Sequence, residues 1–374
     1  MRFGKKIAFL SLGLVLSLVI ADVLSAYVLF FYQNAFDVKK IWEPGHERSV
    51  IYSDGITPTF SVIKTLAAQI EAKRKARKAA AVQPPQGPPY KVLYNRNAEL
   101  GWVATPGSYE FVFSRPQDKL QEWPRSHTWH ATILPDGSRA TSRRPVKCNR
   151  KILIFGDSWL FGWALNEELT MAWHVQSEYK DLFCVSLLAH GGYGHLQALQ
   201  NFRKRQSEIG KNDILVFGYA QWLLPRNLPS PSVVRSLTEG VKHYADGPGK
   251  PLMHPRATLD GNRLIVDTIP LDCEMVREYC ERKEPTLDDL FDVTNKIFDE
   301  IIDHADAKVL VLLLDGPEDK VVEHLKSRGV TIVDGRPPEG IFAKDTMNPY
   351  DAHPGPISNR FWFAQLRKEI DKLL

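Results

Sequence analysis

The sequence predicts an α/β fold in which a parallel sheet carries helices on both faces, preceded by an N-terminal β-rich segment and an N-terminal transmembrane helix. Three observations support this prediction. Short apolar runs alternate with amphipathic stretches from residue 151 onward, aromatic and β-branched runs with turn signals precede them, and residues 7–32 are almost wholly apolar. Strands that alternate with helices are typical of a parallel sheet covered on both faces.

The first element is the apolar stretch Ile7–Tyr32, which follows three cations within residues 2–6. At about 1.5 Å per residue, a helix of this length spans a bilayer. The positive flank places the N-terminus in the cytoplasm and the remaining chain outside it. A cleaved signal peptide is the alternative, since small residues near Ala21 offer a cleavage site. The apolar stretch continues through Val23–Phe31, beyond the possible cleavage site, which favours an uncleaved anchor.

The predicted organisation places a signal anchor at 1–33, a juxtamembrane helix and a Pro-rich linker at 34–89, and a folded α/β domain at 90–374. Within that domain, 90–147 is predicted to be a β-rich cap, because its runs alternate like strands. Residues 225–285 form an insertion that is too long for a simple loop.

The β-rich cap and the insertion each contain a predicted hairpin. In the cap, residues 107–113 alternate like a strand, and 128–134 and 138–141 are joined by the turn sequence Pro135-Asp136-Gly137. The insertion has a second turn signal at Asp260-Gly261.

From residue 151, five apolar runs predict the strands of the sheet and five amphipathic stretches predict its helices. One helix should begin at Thr286, which forms a capping box with Asp289. The predicted strands are 151–155, 182–188, 213–219, 308–314 and 330–333, and the helices are 169–179, 195–207, 286–304, 318–327 and 359–374.

The composition is that of an ordinary globular protein, with 374 residues, 44% hydrophobic and 25% charged. The formal net charge of +4 is small and is not concentrated on a nucleic-acid-reading motif, so no nucleic-acid partner is expected. The chain also lacks a phosphate loop, a dinucleotide glycine pattern and a metal-ligand motif. We therefore expect neither a cofactor nor a metal.

The four cysteines fit an oxidising compartment. Cys148 precedes the first predicted strand of the sheet and Cys184 begins the next, and the starts of parallel strands can be neighbours. Cys273 and Cys280 are close enough in sequence to close a small loop. Two disulfides are predicted, Cys148–Cys184 and Cys273–Cys280; free thiols or a metal site are the alternative, although no zinc spacing is seen.

A candidate nucleophile lies where the first strand of the sheet ends. Gly156-Asp157-Ser158 follows the run 151–155, and Asp351-Ala352-His353 comes about two hundred residues later. In an α/β sheet the site lies at the carboxyl ends of the strands. A serine there can be activated by a histidine base that a carboxylate orients. Taken singly, Ser158 is also consistent with a helix cap and His353 with a surface loop.

Together, Phe155-Gly156-Asp157-Ser158-Trp159, the following Phe161-Gly162 and the late Asp-x-His-Pro resemble the SGNH (GDSL) hydrolases, and most closely their bacterial membrane-anchored type. The resemblance covers about residues 101–374. It implies a flavodoxin-like SGNH fold with Ser158 as nucleophile, His353 as base and Asp351 as the orienting carboxylate.

The resemblance also implies an oxyanion hole built from the backbone N–H groups of Ser158 and Gly192. The family's third donor, an asparagine after the third strand, has no match here. Gln221 or Trp222 occupies its place, and Asn227 is a weaker candidate. Either the oxyanion hole is a variant one or the enzyme is weakened, because a lost donor costs on the order of a hundred- to a thousand-fold in rate.

The sequence thus predicts a serine esterase or O-acyltransferase that acts on acyl esters, O-acetyl above all, of an envelope or exported polysaccharide. Trp159 and Trp222 are candidate sugar-stacking residues, with core packing as the alternative. The expected location is the bacterial inner membrane, with a single-pass anchor and the domain in the periplasm or outside the cell. Envelope proteins are candidate partners. The alternative is a non-catalytic carbohydrate-binding or assembly protein that retains the fold.

Overall fold

The computed structural model describes residues 93–114, 126–241, 252–338, 341, 345–346 and 353–374. These residues lie in the unit Lys91–Leu374. The predicted signal anchor, juxtamembrane helix and linker, at 1–33 and 34–89, lie outside the described residues. Among the helices that are described, none combines the length and the apolar character that crossing a membrane requires.

Eleven strands are described. They are β1 Tyr94–Asn97, β2 Gly101–Ala104, β3 Gly107–Ser114, β4 Ser126–Ile133, β5 Arg150–Phe155, β6 Phe183–Leu187, β7 Ile214–Ala220, β8 Met253–Asp260, β9 Arg263–Pro270, β10 Lys308–Asp315 and β11 Thr331–Asp334.

The described α-helices are α1 Ser158–Phe161, α2 Met171–Tyr179, α3 His195–Arg205, α4 Leu224–Asn227, α5 Pro231–Val241, α6 Arg277–Cys280, α7 Leu287–His304, α8 Lys320–Ser327 and α9 Pro356–Asp371. Short 3₁₀ turns lie at Glu167–Leu169, Gln206–Glu208 and Gln221–Leu223.

A five-stranded parallel sheet forms the centre, with the order β11-β10-β7-β5-β6. Numbered along the chain, this is the flavodoxin-like order 2-1-3-4-5, so the prediction of a flavodoxin-like parallel sheet is confirmed. All seven residues of β7 are buried, as are the six inner residues of β10. Such continuous burial explains why these strands are uninterrupted apolar runs rather than alternating ones.

Each face of the sheet packs against helices, as the alternation predicts. Along β5, Ile152 and Ile154 belong to one apolar cluster, whereas Leu153 and Phe155 belong to the other. This is the period of two that separates the faces of a strand. Helices α2 and α9 contact the first cluster, and α3, α7 and α8 contact the second.

Helix boundaries differ from the predicted ones by a few residues where a cap decides them. The box at Thr286 is confirmed, since Thr286 Oγ1 accepts from the N–H of Asp289, and Asp289 Oδ2 accepts from the N–H of Thr286. Helix α9 begins at Pro356 rather than residue 359, because proline suits the first turn of a helix.

The N-terminal β-rich segment consists of two antiparallel pairs, β1–β2 and β3–β4. The predicted pairing of 128–134 with 138–141 is confirmed only next to the turn, where the Leu134 N–H donates to the Ser138 carbonyl and the Ala140 N–H donates to the Thr132 carbonyl. Strand β4 pairs over eight residues with β3, and 138–141 adds only an isolated bridge at Arg139. On its other side the same short segment bonds to the central sheet, since the Arg139 N–H donates to the Leu187 carbonyl at 3.0 Å.

The insertion after the third strand of the sheet contains the predicted hairpin, β8–β9, which turns at Gly261. Both predicted disulfides are present. Cys148 and Cys184 are joined across the starts of β5 and β6, with 5.6 Å between their Cα atoms, and Cys273 and Cys280 are joined with 5.7 Å.

Candidate active site

Ser158 is the first residue of α1 and follows β5 after a two-residue turn. Asp157 caps the helix, since its Oδ1 accepts from the Trp159 N–H at 3.1 Å. Gly156 allows this sharp turn, because a Cβ there would lie 2.8 Å from Leu160 Cδ1. The motif therefore places the serine at the carboxyl end of the first strand, with 8% of its surface exposed.

His353 provides a base for that serine. Its Nε2 lies 2.8 Å from Ser158 Oγ, which is hydrogen-bonding distance. The structure thus brings together two side chains that are 195 residues apart in sequence. Asp351, the third member of the predicted trio, lies outside the described residues.

Asp157 and Arg226 form an ion pair beside the nucleophile. Asp157 is almost fully buried, and burial raises the pKa of its carboxyl, while Arg226 and His353 act in the opposite direction. Its Oδ2 lies 3.6 Å from Arg226 Nη1 and 3.4 Å from Ser158 Oγ. Arg226 was not predicted as a site residue. Its only sequence signal is that it follows the third strand of the sheet by six residues.

The loop after β6 carries Gly192, the predicted oxyanion donor, with φ +79°, a conformation that favours glycine. Gly192 is partly exposed. Within the described part of the chain, its N–H has no hydrogen-bond acceptor. Its neighbour Gly191 is held on both sides: the N–H donates to Tyr94 Oη at 2.9 Å, and the carbonyl accepts from Trp102 Nε1 at 2.9 Å. Neither Tyr94 nor Trp102 was predicted to lie at the site.

The end of β7 has the residues that stand where the family has asparagine. Gln221 and Trp222 form the short 3₁₀ turn there, and both are half-buried. The prediction of Asn227 as a weaker candidate for this donor is wrong. It is fully buried, and its amide accepts from the Leu196 N–H at 3.1 Å and donates to Thr294 Oγ1 at 2.8 Å. Its hydrogen bonds therefore serve the packing of α3 and α7.

The two tryptophans predicted to stack on a sugar lie together next to the nucleophile. The rings of Trp159 and Trp222 are 5.1 Å apart between centroids, and both side chains are half-buried. The Arg226 guanidinium lies over the Trp222 ring at 5.0 Å. Substrate binding by this pair stays a prediction.

Comparisons with known proteins were made by sequence and by structure. No family model matches the chain, and no curated protein is similar to it. The chain is similar to several solved structures at low identity. One is a lipolytic protein of the G-D-S-L family from Veillonella parvula, with 9% identity, coverage of 59% of this chain and 97% of that one, and a TM-score of 0.31.

Two esterases are similar at the same level. They are the psychrotrophic esterase EstA from Pseudoalteromonas sp. (10% identity, 59% and 97% coverage, TM-score 0.35) and an acetyl xylan esterase, Axe2, from Geobacillus stearothermophilus (13%, 60% and 96%, 0.32). Structures of SGNH-type hydrolases are thus among those that the chain resembles. Similarity at this level does not decide what the chain does, so its reaction is inferred below from its own residues.

Proposed function

We propose that the chain is a serine ester hydrolase or O-acyltransferase whose nucleophile is Ser158. The observation that carries this proposal is the 2.8 Å contact between His353 Nε2 and Ser158 Oγ at the carboxyl end of the first parallel strand. A serine hydroxyl is a weak nucleophile until a base within hydrogen-bonding distance removes its proton. Histidine suits that task near neutral pH.

The proposed reaction has two halves. Ser158 Oγ attacks the ester carbonyl while His353 takes its proton, and the carbonyl oxygen becomes an oxyanion. As this intermediate collapses, the ester C–O bond breaks and His353 returns the proton to the leaving alcohol, which leaves an acyl-serine. Water or another hydroxyl group then attacks the acyl-serine by the reverse sequence and frees Ser158. Asp351 is assigned to orient the His353 ring.

Two backbone N–H groups are assigned to the oxyanion. The Ser158 N–H lies in the first turn of α1, where N–H groups have no acceptor within the helix. The Gly192 N–H, which no described group accepts, is the second. Gln221 is assigned as a side-chain donor in the place of the family's asparagine, since its amide can donate.

The proposed substrate class is acyl esters, O-acetyl above all, of an envelope or exported polysaccharide. The apolar segment 7–32 and the cysteines that form two disulfides support a location outside the cytoplasm. The pair Trp159 and Trp222 beside Ser158 supports a sugar, because the apolar face of a sugar ring stacks on aromatic side chains. Water as the acceptor gives a hydrolase, and a sugar hydroxyl gives a transferase.

The test compares the full chain with its Ser158→Ala variant, using a chromogenic acetyl ester and a serine-reactive fluorophosphonate. Ser207→Ala is the matched control, because that serine is exposed in the 3₁₀ turn after α3. We expect hydrolysis and labelling in the wild type and the control and neither in Ser158→Ala. A folded wild type that is not labelled would contradict the proposal. Release of acetate from an acetylated polysaccharide, with or without an added acceptor sugar, then distinguishes hydrolysis from transfer.

A second candidate function is non-catalytic binding of carbohydrate. The observation that favours it is the absence of the family's asparagine after β7, where Gln221 and Trp222 stand instead. In that case Ser158→Ala would bind the polysaccharide as tightly as the wild type, Trp222→Ala would lose binding, and neither the wild type nor any variant would turn over an ester.

A further inference from the structure

The hairpin β1–β2 supplies both side chains that hold Gly191. Trp102 and Tyr94 come from paired strands and reach a loop about ninety residues away in sequence. A third hydrogen bond closes the arrangement, since Tyr193 Oη donates to the Trp102 carbonyl. The N-terminal segment therefore contacts the backbone of the candidate oxyanion loop and not only its side chains.

Peptide geometry gives this contact a consequence for the neighbouring residue. The carbonyl of Gly191 and the N–H of Gly192 belong to one planar peptide group and point in opposite directions. When Trp102 Nε1 binds that carbonyl, it also fixes the direction of the Gly192 N–H. Between two glycines this peptide would otherwise rotate readily, because both residues have wide conformational freedom.

The side chains that make this contact are buried. Trp102 is fully buried, and Tyr94 and Tyr193 are 2% and 1% exposed. Hydrogen bonds are electrostatically stronger where water is excluded, and a donor bound to a carbonyl polarises the N–H of the same peptide group. Trp102 would thus both orient the Gly192 N–H and strengthen it as a donor.

The position of Trp102 is itself fixed. Gly101, which precedes it, has φ +84°, and a Cβ at Gly101 would lie 2.4 Å from the Met253 carbonyl oxygen. The Trp102 ring also packs near His254, with 5.7 Å between centroids. Hairpin β1–β2 is therefore held by the insertion strand β8 on one side while it holds the loop on the other.

We infer that Trp102 and Tyr94 are positioning residues for the oxyanion hole. Trp102 acts on the Gly191–Gly192 peptide through the Gly191 carbonyl, and Tyr94 holds the preceding His190–Gly191 peptide through the Gly191 N–H. The inference rests on the proposed function, since the direction of the Gly192 N–H matters only if that group binds the oxyanion. It assigns a role in the reaction to the N-terminal β-rich segment, which lies outside the central sheet.

The test measures kcat and KM of the full chain for the chromogenic acetyl ester in Trp102→Phe and Tyr94→Phe. The first replaces the indole and its N–H with a smaller aromatic ring, and the second removes only the hydroxyl. Loss of an oxyanion donor costs on the order of a hundred- to a thousand-fold, so we expect about a ten- to a hundred-fold fall in kcat when the donor is misdirected. KM should change by less than about twofold. Tyr109→Phe is the matched control, because its hydroxyl bonds to the Thr105 carbonyl within the same segment.

A second readout separates positioning from a fold defect. A trifluoromethyl ketone forms an oxyanion with the serine, so its inhibition constant should rise by the same factor as kcat falls, and this constant does not depend on the fraction of folded enzyme. If active wild type and Trp102→Phe agree within twofold in both quantities, the inference is wrong while the proposed function stands. A wild type that neither turns over nor is labelled overturns both. If Trp102→Phe does not fold, Tyr94→Phe decides by the same two criteria.

Discussion

At the residue scale, the buried carboxylate of Asp157 is the most unusual group near Ser158. Burial raises its pKa, and the nearby cation Arg226 lowers it. In the folded state the carboxyl therefore takes up a proton more readily than in the unfolded chain. The free energy of unfolding must then fall as pH rises from the ordinary Asp pKa through the raised one.

Arg226→Met tests this coupling. Without its cation, the pKa of Asp157 rises further, and a buried charge is left without a partner at neutral pH. Removing one member of a buried pair costs about 3 kcal/mol, and we expect that loss of unfolding free energy at pH 8. At pH 5 the loss should be smaller, since Asp157 is protonated more readily there.

Urea unfolding at the two pH values measures this difference. Arg203→Met, which breaks an exposed pair with Glu300, is the control and should cost about 0.5 kcal/mol at either pH. Adding Asp157→Asn to Arg226→Met should recover part of the loss. Equal losses at pH 5 and pH 8 would contradict the assignment.

At the element scale, a buried arginine binds the C-terminal end of the short helix α1. Arg139 is fully buried and donates to the carbonyls of Phe161, Gly162 and Leu165, at 2.6, 2.8 and 2.5 Å, and to that of His130 at 2.9 Å. Burial lowers its pKa to about 10, so it stays charged at neutral pH. The last carbonyls of a helix need partners from outside it. Here the guanidinium binds the carbonyl of Phe161, together with those of Gly162 and Leu165 in the loop that follows.

Arg139→Met should therefore destabilise the chain by about 3–5 kcal/mol, because several buried carbonyls lose their donors together. Arg139→Lys should recover only part of this, since an ammonium lacks the fork of the guanidinium. Thermal or chemical unfolding measures both. Arg150→Met, which removes an exposed hydrogen bond to the Asn212 carbonyl, should cost about 1 kcal/mol. A loss that small in Arg139→Met would refute the capping role.

At the scale of the whole molecule, three buried histidines make the fold sensitive to acid. Burial lowers the pKa of His190 to about 4, of His195 to about 3 and of His254 to about 4. The unfolded chain therefore binds more protons than the folded one below the ordinary histidine pKa of about 6.5. The contribution of these histidines to the free energy of unfolding is fully present above that value, and it is lost as pH drops from there towards 4.

We expect the free energy of unfolding to decrease by several kcal/mol between pH 7 and pH 4, at about 1.4 kcal/mol for each unit of pKa shift per group. Urea titrations at half-unit pH intervals measure the slope. Replacement of His254 by Gln should reduce the slope of the unfolding free energy against pH, because about one proton fewer is taken up on unfolding. This holds whatever the effect of the replacement at pH 7. A stability that is constant from pH 7 to pH 4.5 would show that these histidines are not buried in solution.

The sheet and the proposed catalytic pair were predictable from the sequence because their signals are local. Apolar runs that alternate with helices predict a parallel sheet covered on both faces, the family resemblance adds its flavodoxin-like type, and Ser158 and His353 each sit in a short motif. Arg226 and Trp102 were missed because their contacts are long-range. Trp102 meets Gly191 across 89 residues, and no spacing in the sequence records such a meeting. The bridge between Arg139 and Leu187 was missed for the same reason, since it joins the segment 138–141 to a distant strand edge.

The distance between Ser158 and His353 along the chain also sets an order in time. A ribosome makes Ser158, the proposed nucleophile, 195 residues before His353, its proposed base, so a growing chain carries the serine without its partner. The proposed reaction could begin only after the segment that contains His353 has been made and has packed beside Ser158. The enzyme proposed here would thus be inactive throughout its own synthesis, without needing a separate inhibitor.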